Sequence, residues 1–317
     1  MKAVQEVQVG LFHHHQSLIM SAFMKTVTPS LAAFGLAQTA LALPPVCPLN
    51  SQLSCHNTTA IENTCCTEVQ GQVLQVQFWD TQPATGPADH WTIHGLWPDF
   101  CDGSYTQYCD DSREHYNISC ILEAAGPVGQ STLAYMQKYW KDQDGGDESF
   151  WEHEWNKHGT CYSTLNPSCF PNYQPNEEVV DFFTQTVNLF KTIPTYEILA
   201  LQGIVPTTSK NYTSDEVQKA LRNARGVNAT LECDDGALYE IEYTFNVKGS
   251  VADGLFVPAE PLGEGNGCPS SFMYLPKNES SVPKVSATTC PATSAIVSTS
   301  STRQSSTMRT TATTTST

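Results

Sequence analysis

The sequence predicts an α+β fold: a central antiparallel sheet flanked by helices, in one disulfide-braced domain. Three observations lead there. Segments of strand character and segments of helical character do not alternate strictly along the chain, which disfavours a doubly wound parallel sheet. Residues 43–276 fall within the size that one domain reaches. All 12 cysteines lie in or after that stretch, an even number suited to a framework of bridges.

The elements follow in order. Val73 to Trp79 alternates apolar and polar residues and reads as a strand. Trp91 to Leu96 is rich in β-formers and ends at Trp97-Pro98, which puts His94 at or near a strand end. A helix is expected over Thr132–Trp140. A second runs from Ser149 to His158 and closes at Gly159 as a C-cap. Further helices are expected over Glu177–Lys191 and Ser214–Asn223, the last with Ser214 as N-cap and Asp215 and Glu216 in its first turn. Tyr239 to Val247 reads as a third strand.

Both ends differ from the middle. Residues 1–42 read as an extension followed by a secretory signal peptide. Met24 is its natural start, Lys25 its positive end, Leu31 to Ala37 its apolar stretch, and Ala40-Leu41-Ala42 its small-x-small cleavage pattern. No segment approaches membrane-spanning length. Residues 277–317 form a Ser/Thr-rich tail, with 17 Ser or Thr among the last 27 residues and no acidic residue after Glu279. Such a composition cannot bury a core and is expected to be a disordered, O-glycosylated spacer. The Asn-x-Ser/Thr sequons at Asn57, Asn117, Asn211, Asn228 and Asn278 agree with secretion, with a vacuolar destination as the alternative.

The formal net charge is −16, with 16 basic against 32 acidic residues. General electrostatic attraction to nucleic acid, which needs a basic face, is therefore excluded as the mode of action. A site with local cations remains open, and the balance suits work at acidic pH as well as the solubility of an extracellular glycoprotein.

The chemistry concentrates in two segments. One is His90-Trp91-Thr92-Ile93-His94-Gly95-Leu96-Trp97-Pro98-Asp99, and the other is Phe150-Trp151-Glu152-His153-Glu154-Trp155-Asn156-Lys157-His158-Gly159. In a helix, positions 153 and 157 are one turn apart, as are 154 and 158. His153, Glu154, Lys157 and His158 then share a face, while Trp151 and Trp155 anchor the opposite side. A solvated charged face would explain four ionisable groups but not their pairing with a second histidine segment. A zincin site wants its histidines four apart, whereas His153 and His158 are five apart, so no metal is expected. Two imidazoles titrating near ~6.5 can serve as base and acid in one turnover. Neither a Gly-x-Ser-x-Gly nucleophile nor a phosphate loop is present, so the substrate must bring its own nucleophile. RNA does so with its 2′-hydroxyl. His13, His14, His15, His56, His90 and His115 are given no role.

These two segments resemble the signature segments of the secreted ribonucleases of the T2 family, of the fungal type, and the resemblance extends over residues 47–276. It implies the α+β fold and an endoribonuclease that cleaves RNA by transesterification through 2′,3′-cyclic phosphates to 3′-phosphates. It implies His158 as general base and His94 as general acid. Glu154 and Lys157 would stabilise the five-coordinate phosphorus, and His153 would contact phosphate. Trp97, Asp99 and Tyr105 would form the primary base site, with a preference for adenine, and Phe150 would line a second. It also implies the bridges Cys47–Cys66, Cys55–Cys101, Cys65–Cys169, Cys109–Cys161 and Cys233–Cys268. Cys120 and Cys290 fall outside that pattern, either paired with each other or free. The resemblance implies a monomer acting on RNA, without cofactor, metal, stable protein partner or membrane anchor. Another phosphodiesterase using the same two histidines, and a binding glycoprotein with a vestigial site, are the competing readings.

Overall fold

The alternating residues around Val73 form β1 (Gln72–Phe78), buried along its whole length except at Phe78. Burial on both faces follows from its central position. It pairs antiparallel with β2 (Thr92–Asp99) on one side and β5 (Ala237–Lys248) on the other. β4 (Thr230–Asp234) and β6 (Leu255–Pro258) both pair antiparallel with β5, giving the order β2-β1-β5-β4. β3 (Tyr212–Thr213) and β7 (Ser271–Phe272) make a separate two-stranded ribbon. This computed structural model describes residues 47–56, 60–262, 267–278 and 290. The expected leader, the sequon at Asn57 and the tail other than Lys277, Asn278 and Cys290 lie outside these residues.

Six α-helices complete the described fold: α1 (Ile118–Ala124), α2 (Pro127–Tyr139), α3 (Asp147–Lys157), α4 (Glu177–Lys191), α5 (Thr195–Ala200) and α6 (Ser214–Arg225). The architecture is α+β. α4 buries Val179, Phe182, Phe183, Val187 and Phe190 in the core, an apolar stripe at helical spacing. Burying polar groups in such a core requires partners, and the two inward glutamines of β1 have them. Gln77 donates to Gln75 at 2.8 Å and accepts from Thr195 at 2.6 Å, whose hydroxyl also meets that of Tyr243 at 2.8 Å.

Several local expectations are corrected. β2 does not end at Trp97-Pro98 but runs to Asp99, with Pro98 opposite Val73. β2 is an edge strand, the position in a sheet where a residue without an N–H is tolerated. His94 lies inside this strand rather than at its end. Gly95 pairs with Val76 and Ile93 with Gln77, which leaves His94 as the extra residue of a β-bulge. A bulge of this kind re-aims a side chain. α2 begins earlier than expected because Pro127 sits in its first turn, where no N–H is needed. Thr213, not Ser214, caps α6, in a reciprocal capping box with Glu216.

The corrected end of α3 matters most. The helix stops at Lys157, His158 is its terminal cap, and Gly159 enters a 3-10 turn, Gly159–Cys161, instead of forming a left-handed cap. Glycine is required there for closeness. A Cβ on Gly159 would collide with the ring of Trp155, which is fully buried. The turn is also held from behind. Arg113 donates to the carbonyls of Thr160 and Leu165 at 3.0 and 2.9 Å, and Glu68 accepts from the amides and hydroxyls of both Ser163 and Thr164. The disulfide Cys109–Cys161 joins this turn to the loop before α1. Cys47–Cys66, Cys55–Cys101, Cys65–Cys169 and Cys233–Cys268 also form, and Cys120 pairs with Cys290. Gly159→Ala should cost about 1–3 kcal/mol of stability through overpacking, read as a lowered urea midpoint with an unchanged slope.

Candidate active site

The site forms where α3 lies against the edge strand β2. Trp151 and Trp155 turn from α3 into the core and are fixed there by their indole N–H groups, donating to the carbonyls of Trp140 at 3.0 Å and Arg113 at 2.7 Å. Glu154, on the side of α3 that meets β2, is fully buried. It sits so near β2 that a Cβ on Gly95 would overlap its carboxylate. Oε2 of Glu154 accepts from the Trp97 indole N–H at 2.9 Å, and Oε1 lies 3.8 Å from Nε2 of His94 without a hydrogen-bond partner.

His158 projects back from the end of α3 and stacks on Trp97, with ring centroids 4.9 Å apart and planes at 16°. Its Nε2 is buried and has no hydrogen-bond partner. Burial, with the Lys157 ammonium and the neighbouring His94 and His153 adding to it, drives its pKa down to about 2. A neutral imidazole with a free nitrogen is the result. His153 is exposed, 6.4 Å from His158 ring to ring, and burial and Lys157 lower its pKa too. Among the described residues, Lys157 forms no ion pair, so its ammonium remains available beside the two imidazoles.

His94 comes from the bulge of β2. Its ring stacks on Phe78 at 3.8 Å and meets Trp97 edge-on at 4.6 Å. Nδ1 contacts Oε2 of Glu240 at 2.6 Å. Burial lowers the His94 pKa to about 4, opposed by Glu154, and raises that of Glu240 to about 8, helped by Glu232 and Asp80. Burial disfavours charge on both partners, which favours the pair as neutral imidazole and neutral carboxyl. Burial also raises Glu154 to about 7, against the pull of His94, Trp97 and Lys157.

The structure thus brings together His94, His153, Glu154, Lys157 and His158, with Trp97 as their wall and Phe150 on the flank, 5.7 Å from His94. It does not show two aromatics sandwiching a space. Tyr105 is 63% exposed, and no ring among the described residues stands against it. Asp99, at the end of β2, is partly buried, which raises its pKa to about 7. His90 sits before β2, bonded to Asp89, and His115 packs near Trp155.

Donor atoms of His153, Glu154 and His158 all lie within 4.8 Å of one another at the C-terminal end of α3. Those atoms could hold a cation, although Oε2 of Glu154 is already engaged by Trp97. Sequence reasoning missed three residues here: Phe78, Glu240 and Tyr108, whose hydroxyl is 3.5 Å from Nδ1 of His153. Alternation in β5 does place Glu240, Glu242 and Thr244 on one face, but nothing local said which strand that face would meet.

Two imidazoles, an uncommitted ammonium and a buried carboxyl around one cleft define an acid–base site for phosphoryl chemistry. Known proteins agree. The profile of the ribonuclease T2 family matches residues 57–253. The chain is 58% identical over 231 residues to ribonuclease Trv of Hypocrea rufa, covering 73% of this chain and 98% of that one. It is 48% identical over 250 residues to ribonuclease T2 of Aspergillus oryzae, covering 78% of this chain and 90% of that one. The crystal structure of Actibind, a T2 ribonuclease, superimposes with a TM-score of 0.69 at 48% identity, over 73% of this chain and 98% of that chain. The chain belongs to the ribonuclease T2 family. It is an endoribonuclease, and among its described residues no helix is long and apolar enough to cross a membrane.

The titrations predict a direction for stability. Burial holds Asp99, Glu154, Asp181 and Glu242 near about 7 and Glu240 near about 8, whereas unfolded carboxyls titrate near ~4. Between those values the native state binds more protons, so stability falls as pH rises through the window. His94, His115, His153 and His158, lowered on folding, act oppositely below ~6.5, but burial also raises Glu68, Asp80, Glu177, Glu178 and Asp253, so the carboxyls outnumber them. The melting temperature should be higher at pH 5 than at pH 7.5 by calorimetry; the reverse order would mean these carboxyls are ionised in the fold.

Proposed function

We propose that this ribonuclease cleaves RNA without a metal, by transesterification to a 2′,3′-cyclic phosphate that it then hydrolyses to a 3′-phosphate. His158 is the base. It takes the 2′-hydroxyl proton, the 2′-oxygen bonds to phosphorus, the bond to the 5′-oxygen breaks, and that oxygen takes a proton from Nε2 of His94. Lys157 offsets the charge on the non-bridging oxygens, and His153 meets the phosphate from the solvent side. Glu154, protonated below about 7, donates to a non-bridging oxygen instead of repelling it. The observation that carries the reading is the buried, unpartnered Nε2 of His158 next to an unpaired ammonium. An imidazole there is kept neutral until an anion arrives, and an arriving phosphate raises its basicity.

Base selection is assigned to Trp97, Asp99 and Tyr105, with Phe150 at the second base. A protonated Asp99 fits adenine, because its carbonyl oxygen accepts from the exocyclic amine while its O–H donates to the adjacent ring nitrogen. The leader and the six disulfides support export through an oxidising compartment. The enzyme acts as a secreted monomer with RNA as its partner.

An RNA-containing gel at mildly acidic pH with a chelator present tests the chemistry. Wild type should clear the RNA, and a 2′-deoxy substrate should stay intact. His158→Phe and His94→Phe should each lower kcat by about 10²–10⁴-fold, the range a positioned acid or base supplies. Loss of activity under chelation would sink the metal-free route. Asp99→Leu, which removes both the acceptor and the donor, should change the order of preference among dinucleoside phosphates more than the fastest rate. An unaltered order would move the base site away from β2.

A further inference from the structure

The sheet places a second carboxyl behind His94, from a strand that contributes nothing else to the cleft. β5 is two strands away from β2, and Glu240 reaches His94 because Phe78 of β1, its paired neighbour, lies flat beneath the imidazole. Only 5% of Glu240 is exposed, and its Oε2 meets Nδ1 at 2.6 Å. Phe78 and Glu240 therefore fix the ring plane and the nitrogen that points out of the sheet. We propose that Glu240 is a positioning residue for the acid step: it shares a proton with Nδ1 of His94 and so keeps Nε2 of that ring as the nitrogen that bears the outward N–H. This rests on His94 being the general acid.

The proton balance is simple. In the resting pair one proton lies between Nδ1 and Oε2, and a second sits on Nε2. When Nε2 gives its proton to the departing 5′-oxygen, the shared proton moves onto Nδ1 and Glu240 is left as carboxylate. In the hydrolysis step Nε2 takes a proton from the attacking water, and the pair returns to its first state. No other donor is needed. The groups that face the pair are His153, Glu154 and Lys157 on α3, His158 at its end, Asp80 after β1, Glu232 on β4 and Glu242 on β5. A buried imidazole without the shared proton holds its acidic proton less tightly, so removing Glu240 moves the loss of activity to lower pH.

The test uses two substrates. One is a dinucleoside phosphate, whose leaving 5′-oxygen needs a proton, and the other is a uridine 3′-(4-nitrophenyl phosphate), whose leaving phenolate does not. On the first, Glu240→Gln should lower kcat by about 10- to 100-fold with KM unchanged, part of what a positioned acid supplies. Its alkaline limb should shift down by about one pH unit, and Glu240→Asp should recover part of the rate. On the second, both His94→Phe and Glu240→Gln should approach wild type. If His94→Phe stays slow on the activated substrate, the acid assignment itself fails. If His94→Phe is rescued while Glu240→Gln is normal on both substrates, or slow on both, Glu240 has no part in the acid step. Nitrogen-15 spectra of the wild-type imidazoles give a reading that no variant can confound. Nε2 of His94 should be protonated from pH 5 to 7, and a bare Nε2 there would overturn the proposal.

Discussion

Glu154 occupies the space that a side chain on Gly95 would need, and the whole site depends on that approach. Because β2 has no Cβ there, α3 can lie against the strand with its carboxyl in the seam. The carboxyl then holds the Trp97 indole, the indole supplies the surface on which His158 stacks, and the other oxygen faces His94. One contact between a strand and a helix thereby sets three of the four proposed catalytic side chains relative to one another. Positioning at this level is what acid–base catalysis requires, since transfer needs heavy atoms within hydrogen-bond reach.

Such an approach must be supported, because a buried carboxyl and a buried neutral histidine both work against stability. The support comes from outside the site. Trp151 and Trp155 anchor α3, and Arg113 and Glu68 hold the turn that follows it. Glu68 is a buried carboxylate whose two oxygens receive both amides and both hydroxyls of Ser163 and Thr164, so its burial is matched by hydrogen bonds. Arg113 lies over the ring of Trp155 and so joins the anchor to the turn. The bridge Cys109–Cys161 adds a covalent tie at the same place. Stabilising groups and reacting groups are separate residues on adjoining segments, which is why the reacting ones can remain unpaired.

How much of this was legible in the sequence depends on the range of the interaction. α4 has the expected bounds because its apolar stripe repeats locally. α3 and its polar face were visible for the same reason, as were the tryptophans opposite. The resemblance supplied the roles of His94 and His158, which spacing alone could not order. What escaped is non-local or depends on close packing. Gly159 looks like a helix cap in any sequence, and only the ring of Trp155 shows that it is there for lack of a Cβ. The bulge at His94 depends on the register of β1 against β2. Glu240 lies 146 residues from His94 in sequence, and no periodicity in β5 names its partner. The aromatic pair expected for a base depends on spacing across the chain as well: Trp97 carries His158 on one face, and Tyr105 stands exposed in a loop after β2.

The overall charge can now be understood together with the site. A chain with formal charge −16 must bind a polyanion, and Lys157 brings a cation to the candidate site. Burial reconciles the two. Glu154 and Asp99 keep their protons well above the usual carboxyl range, so in mildly acid solution the site is less negative than the formal count implies. Protonated carboxyls also donate hydrogen bonds, which ionised ones cannot. As pH rises through 7 the same groups become anions facing a phosphate, and repulsion replaces donation. The acidity of the composition and the chemistry of the cleft thus point to the same conditions, because the carboxyls nearest the reaction are those that burial prevents from ionising.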